Sequence, residues 1–129
     1  MKKEIVIIIG IVVVIIVLHA GTQIYTNNYF DNIKEDLDIM ENKILQNNYN
    51  KEELQNDINN INDRLKKKYD LFAIYIEHDE LEKVQTQLIS IDADIKVENY
   101  DRAVDEIEKC KFILTHIENK DSFKIINIF

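Results

Sequence analysis

The chain has 129 residues, with 16 Lys plus Arg against 24 Asp plus Glu, a formal charge of −8, one cysteine, two glycines and no proline. That acidic balance excludes a grip on a phosphate backbone, so nucleic acid is not expected as a partner. Cys110 alone cannot close an internal disulfide, and both glycines, Gly10 and Gly21, lie near the N-terminus, so nothing downstream punctuates a β-hairpin and helices are expected.

Lys2 and Lys3 precede an unbroken apolar run, Ile5 to Leu18, interrupted only by Gly10. At about 1.5 Å per residue this run is short for a hydrocarbon core of about 30 Å, but carrying the helix through Ile24 and Tyr25 reaches that span. Tyr25 then falls among the headgroups as an interfacial aromatic. A cleavable signal is the competing reading, with Ala20 before the cut. Leu18 stands where such a site wants a small residue, and helical spacing resumes by Thr26, so an uncleaved anchor is the expectation. Lys2 and Lys3 place the N-terminus in the cytoplasm and the remainder outside. The division is a tip and transmembrane anchor over residues 1–25 and an extracytoplasmic helical domain over residues 26–129. Setting aside Lys2, Lys3 and Glu4, 14 basic residues face 23 acidic ones in that domain. Its acidity is read first as solubility.

From Thr26 the apolar positions Phe30, Ile33, Leu37, Met40 and Ile44 step by three and four, a heptad stripe that carries the anchor helix outward as one rod. It is expected to stop near Asn47 and Asn48, where Asn accepts a left-handed conformation. Asn50 with Glu53 three residues on reads as a capping box opening a second helix, with Leu54, Ile58, Ile61 and Leu65 inward. After Lys66, Lys67 and Lys68 the stretch from Leu71 to Ile76 is apolar on every side, which predicts burial by more than one neighbour. Asp79 with Glu82 repeats the capping-box spacing and predicts a third helix, with Leu81, Val84, Leu88, Ile91 and Ile95 on its stripe. A break at Glu98 to Tyr100 precedes a fourth, with Asp101 in its first turn and Ala103, Ile107, Cys110, Leu114 and Ile117 inward. Cys110 is expected buried and inert. The tail after Asp121 has five apolar residues among its last seven, too many to leave in water without a docking site.

Out, back, out and back again, four such helices put the His78 turn and the tail at the membrane end, with the three lysines two to three turns above it. Headgroup attraction to those lysines competes with simple solvation, which is the first expectation.

For chemistry, the one cluster is Glu77, His78, Asp79, Glu80 and Glu82. His78, Asp79 and Glu82 are weak candidates for a divalent metal, His78 and Glu82 sharing a helix face. No E-x-x-H or H-E-x-x-H pattern accompanies them, and turn formation and capping explain the same residues. There is no Gly-rich phosphate loop, no G-x-S-x-G elbow and no Cys–His pair at diagnostic spacing, so no enzyme and no cofactor are expected.

Three segments carry a likeness: Ile76-Glu77-His78-Asp79-Glu80-Leu81, Lys111-Phe112-Ile113-Leu114-Thr115-His116 and Asn127-Ile128-Phe129. With the single anchor, and in this order, they resemble the domain of unknown function 4363 family of short single-span bacterial membrane proteins, mainly of spore-forming low-GC Gram-positive bacteria. The likeness covers essentially the whole chain. It departs at Phe72 or a neighbour, where the family pattern has Trp. The resemblance implies a fold and a membrane context, and no activity.

The combined reading is an all-α protein, an N-terminal transmembrane helix continuing into an antiparallel bundle of about four helices. Its expected role is a scaffold, accessory or docking module for another membrane or envelope protein. The expected working surface is the membrane end: Phe72, Tyr75, His78, Phe123, Ile125, Ile126, Asn127, Ile128 and Phe129. The alternatives are a sensor that binds a small ligand or divalent metal near His78, and a parallel homodimer that uses the heptads of Thr26 to Ile44 as a stalk.

Overall fold

The computed structural model describes the backbone through Ile128 and the side chains of residues 1–120. Four helices follow one another: α1 Lys2–Leu45, α2 Lys51–Phe72, α3 His78–Lys96 and α4 Tyr100–Ile128. α1 packs on α2 and α4, and α3 packs on α2 and α4, so sequence neighbours are spatial neighbours and the first and last helices close the bundle. This is the antiparallel arrangement that short links enforce.

α1 has 44 residues and no break, a rod of about 66 Å. Its apolar run is exposed throughout, and Thr26 is its first buried residue. From there the stripe Phe30, Ile33, Leu37, Met40 and Ile44 turns inward, as the heptad spacing requires. The expected stripes of α2, α3 and α4 all face the same core, and each of their named residues is buried. The heptads of α1 are therefore consumed inside one chain. A parallel dimer stalk through them would require opening the bundle.

Both links at the far end use one device. Asn47 takes φ 54°, and the N–H groups of Asn47 and Asn48 reach back to the carbonyls of Ile44 and Lys43. Glu98 takes φ 58°, with Glu98 and Asn99 bonded to Ile95 and Asp94 in the same way. These are Schellman stops, which satisfy the last carbonyls by turning one residue left-handed. Asn50 then caps α2, its side-chain oxygen accepting the Glu53 N–H at 2.7 Å. The Glu53 carboxylate pairs with Lys43 at 2.8 Å. Asn99 does the same for α4 by accepting from Arg102 N–H at 3.4 Å, and the Tyr49 ring packs tilted against Tyr100 at 4.6 Å across the two links.

The third helix starts two residues earlier than the Asp79 cap predicts. Glu77 occupies the cap position without a side-chain cap bond, and Asp79 and Glu80 lie in the first turn, where the helix dipole favours carboxylates. The stretch from Leu71 to Ile76 also departs from expectation. α2 ends at Phe72, and the chain turns through residues 73–77, so burial no longer follows one helix face. Only Phe72 and Ile76 enter the core, while Leu71 and Ile74 are exposed at the end of the bundle from which the apolar part of α1 projects. The early end of α2 also brings Lys66, Lys67 and Lys68 to within about two turns of it, nearer than predicted.

Left-handed φ strains any residue with a Cβ, and Asn tolerates it better than Glu. Glu98→Gly is therefore expected to stabilise the chain by about 1 kcal/mol and Asn47→Gly by less, read as thermal unfolding in detergent micelles.

Candidate interaction surface at the anchor end of the bundle

Phe72 is the hub where α1 enters the bundle. Its ring meets Tyr29 at 5.2 Å and Phe30 at 5.3 Å, both edge-on, with Tyr75 at 6.2 Å and Tyr25 at 6.4 Å. Burying such a ring contributes about 2 kcal/mol, and each well-angled aromatic contact adds to it. Phe72 is thus wholly interior: it supports the end surface from beneath and presents none of it.

Polar ties lock the same corner. Thr26 Oγ1 and the Tyr75 hydroxyl lie 2.6 Å apart, joining the first buried residue of α1 to the α2–α3 turn. The Tyr29 hydroxyl donates to the Arg64 carbonyl at 2.5 Å, and Lys68 Nζ sits 5.9 Å above the Tyr25 ring. Burial raises the Tyr29 pKa, and the nearby Arg64 charge opposes the shift without cancelling it.

Beside these ties lies a groove of about 360 Å³, lined by Val17, Leu18, Gly21, Thr22, Tyr25, Leu71 and Tyr75. Leu71 is 41% exposed and Ile74 is 79% exposed, so apolar surface continues from the projecting helix onto the turn. Periodicity could not reveal this, because an all-apolar stretch has no polar face to mark its outside.

His78 stands at the opening of α3. The Tyr69 hydroxyl is 3.1 Å from its Nδ1, and its Nε2 is 4.0 Å from Glu82, both side chains being well exposed. Asp79 is exposed nearby. Among the described residues no three His, Cys, Asp or Glu side chains converge as a metal set. Glu77 and Glu80 point instead to Lys120, at 3.0 and 3.8 Å, which ties α4 to the start of α3. The side chains of Phe123, Ile125, Ile126, Asn127 and Ile128, and Phe129 altogether, lie outside the described residues.

A second constellation emerges only in three dimensions. Lys111 on α4 reaches Asp38 at 2.5 Å, Glu41 at 2.7 Å and Glu108 at 2.7 Å, clamping α4 to α1. Burial alone would lower the Lys111 pKa, but hydrogen bonds to Asp38, Glu108 and Glu41 outweigh it and hold the ammonium above its ordinary range. Burial, then the hydrogen bond shared with Glu108, raises Glu41 in spite of Lys111, while Glu108, hydrogen-bonded by Glu41 and Lys111, is lowered. Nearby on α1, Lys34 pairs with Asp31 of its own helix and with Glu118 across on α4, both at 3.1 Å. The pocket beside these groups is open and charged, with the geometry of an interhelix clamp.

The arrangement defines a class: a closed, all-helical bundle carried on a helix long and apolar enough to cross a membrane. The family described as Domain of unknown function (DUF4363) matches residues 21–128, and the chain belongs to it. No curated protein and no solved structure matches the chain.

Cys110 is fully buried, and burial pushes its thiol up to about 12. It is expected to resist a thiol reagent in the folded full-length chain and to react at once on denaturation. Lys111→Met, which strands partly buried carboxylates, is expected to cost roughly 2 kcal/mol at neutral pH. Because the folded Lys111 pKa is raised, its contribution is complete from neutral pH up to the ordinary lysine value, declines as pH rises from there and is gone above the folded one. On the acid side the cost of the substitution should shrink as its partner carboxylates protonate; unfolding measured across pH in both chains checks this.

Proposed function

We propose that the chain is a single-pass protein of the cell membrane, with its N-terminus in the cytoplasm and its acidic bundle on the outer face. There it acts without catalysis, as a scaffold or docking module for another membrane or envelope protein. One observation carries this reading: the bundle leaves its apolar opening beside the projecting helix, at Leu71, Ile74 and the groove against Val17 and Leu18. A partner working in or on the membrane meets the chain at that end. Lys2 and Lys3 supply the inward charge, and the acidic bundle discourages nucleic acid and favours solubility.

The other described surfaces fit a small-molecule role poorly. Such sites are concave, mostly apolar cavities with a few converging polar groups, whereas the openings here are shallow and lie between helices on the surface. The membrane end, including His78, Tyr75 and the tail of residues 125–129, is the working surface.

The test is a photo-crosslinking side chain placed at His78 and, separately, at Val97 at the far end of the bundle, with the full-length chain in its native membranes. A discrete adduct at position 78 that is absent at 97 is expected, and removal of residues 125–129 should weaken it. Identical capture at both positions, or none at either, contradicts the reading.

A further inference from the structure

The apolar run of α1 and the bilayer do not match in length. Ile5 to Leu18 covers about 20 Å, against a hydrocarbon core of about 30 Å. A span of adequate length running from Ile5 must continue to the neighbourhood of Ile24, since about 20 helical residues are needed. No charged residue stands between Glu4 and Asp31 to stop it. Submerging α1 to that depth also submerges whatever is packed against its last turns.

What is packed there is the α2–α3 turn. Leu71 and Tyr75 share a groove with Val17, Leu18 and Gly21, which places Leu71 beside the end of the apolar run. Ile74, two residues on from the end of α2, is among the most exposed apolar side chains outside α1. Exposed Leu71 in the last turn of α2 and Ile74 on the turn that follows, tied to α1 through Thr26 and Tyr75, are suited to the headgroup and acyl boundary. Above them Lys66 and Lys67 are exposed and Lys68 lies over Tyr25, at the level where long basic side chains snorkel. Asp70, Glu77 and Asp79 are exposed nearby as well, so attachment here depends on apolar insertion and needs no anionic lipid.

We propose that Leu71 at the end of α2 and Ile74 on the turn after it form a second lipid contact, inserted in the outer interfacial region of the bilayer beside the last turns of the span, and that this contact fixes the tilt and rotation of the bundle. This rests on the single-pass reading. It predicts that the bundle does not swivel freely above the membrane, because it is held at two points: the α1 helix and the turn beside it.

The experiment uses the full-length chain in zwitterionic phosphatidylcholine vesicles whose acyl chains carry bromine. A single environment-sensitive fluorophore is attached in turn at Ile74→Cys, Val12→Cys and Val97→Cys; the buried Cys110 stays unlabelled in the folded chain. The expected result is a blue-shifted emission and loss of fluorescence to bromine at positions 12 and 74, with neither at 97. Emission at 74 that matches 97, while 12 is quenched, overturns the proposal and leaves the anchor standing. A water-like signal at 12 overturns the anchor reading itself. If 74 is water-like in vesicles but shielded in native membranes, a protein partner covers the turn, and the lipid contact is refuted.

Discussion

Everything in this structure depends on the continuity of backbone hydrogen bonding along α1. A helix crossing hydrocarbon cannot break without leaving carbonyl and amide groups unpaired, and here no Pro, no left-handed residue and no capping turn separates the apolar run from the first buried position at Thr26. The bundle is therefore not tethered by a linker. It is built on the last 20 residues of the same rod, so the orientation of the core follows from the orientation of the apolar segment.

Two kinds of interaction then secure the other helices to that rod, at different heights. At the anchor end the contacts are aromatic and hydroxyl: Phe72 under Tyr25, Tyr29 and Phe30, with Thr26 bonded to Tyr75. These suit a site near lipid, where amphipathic rings are stable and bare charges are costly. Farther out the fastening is ionic. Lys34 and Lys111 each gather carboxylates from both α1 and α4, and Arg64 pairs with Asp36 between α1 and α2. In a strongly acidic domain these few cations hold together helices whose charges otherwise repel.

The four helices, their inward stripes and both far-end stops were legible because each rests on a local rule. Spacing by three and four marks the buried face, and Asn47 and Asn50 carry their conformational and capping preferences in their own side chains. The membership of the DUF4363 family, read first from short segments such as Lys111 to His116, is carried by the match over residues 21–128. What failed was the stretch from Leu71 to Ile76. An apolar run looks the same whether it is core or interface, and only the end of α2 at Phe72 separates Phe72 and Ile76, which are buried, from Leu71 and Ile74, which are not. The capping box at Asp79 misled because Glu77 holds the cap position without a side-chain bond, which leaves Asp79 inside the first turn and Glu82 beside His78 at 4.0 Å. The Lys111 clamp joins residues about 70 positions apart, beyond the reach of any local pattern.

The central claim is that the apolar run stays in the mature protein as the base of α1. The most direct measurement is the intact mass of the chain recovered from membranes of the cells that make it. The account predicts a membrane-bound species retaining residues 1–25. A soluble species whose first residue is Gly21 would contradict it.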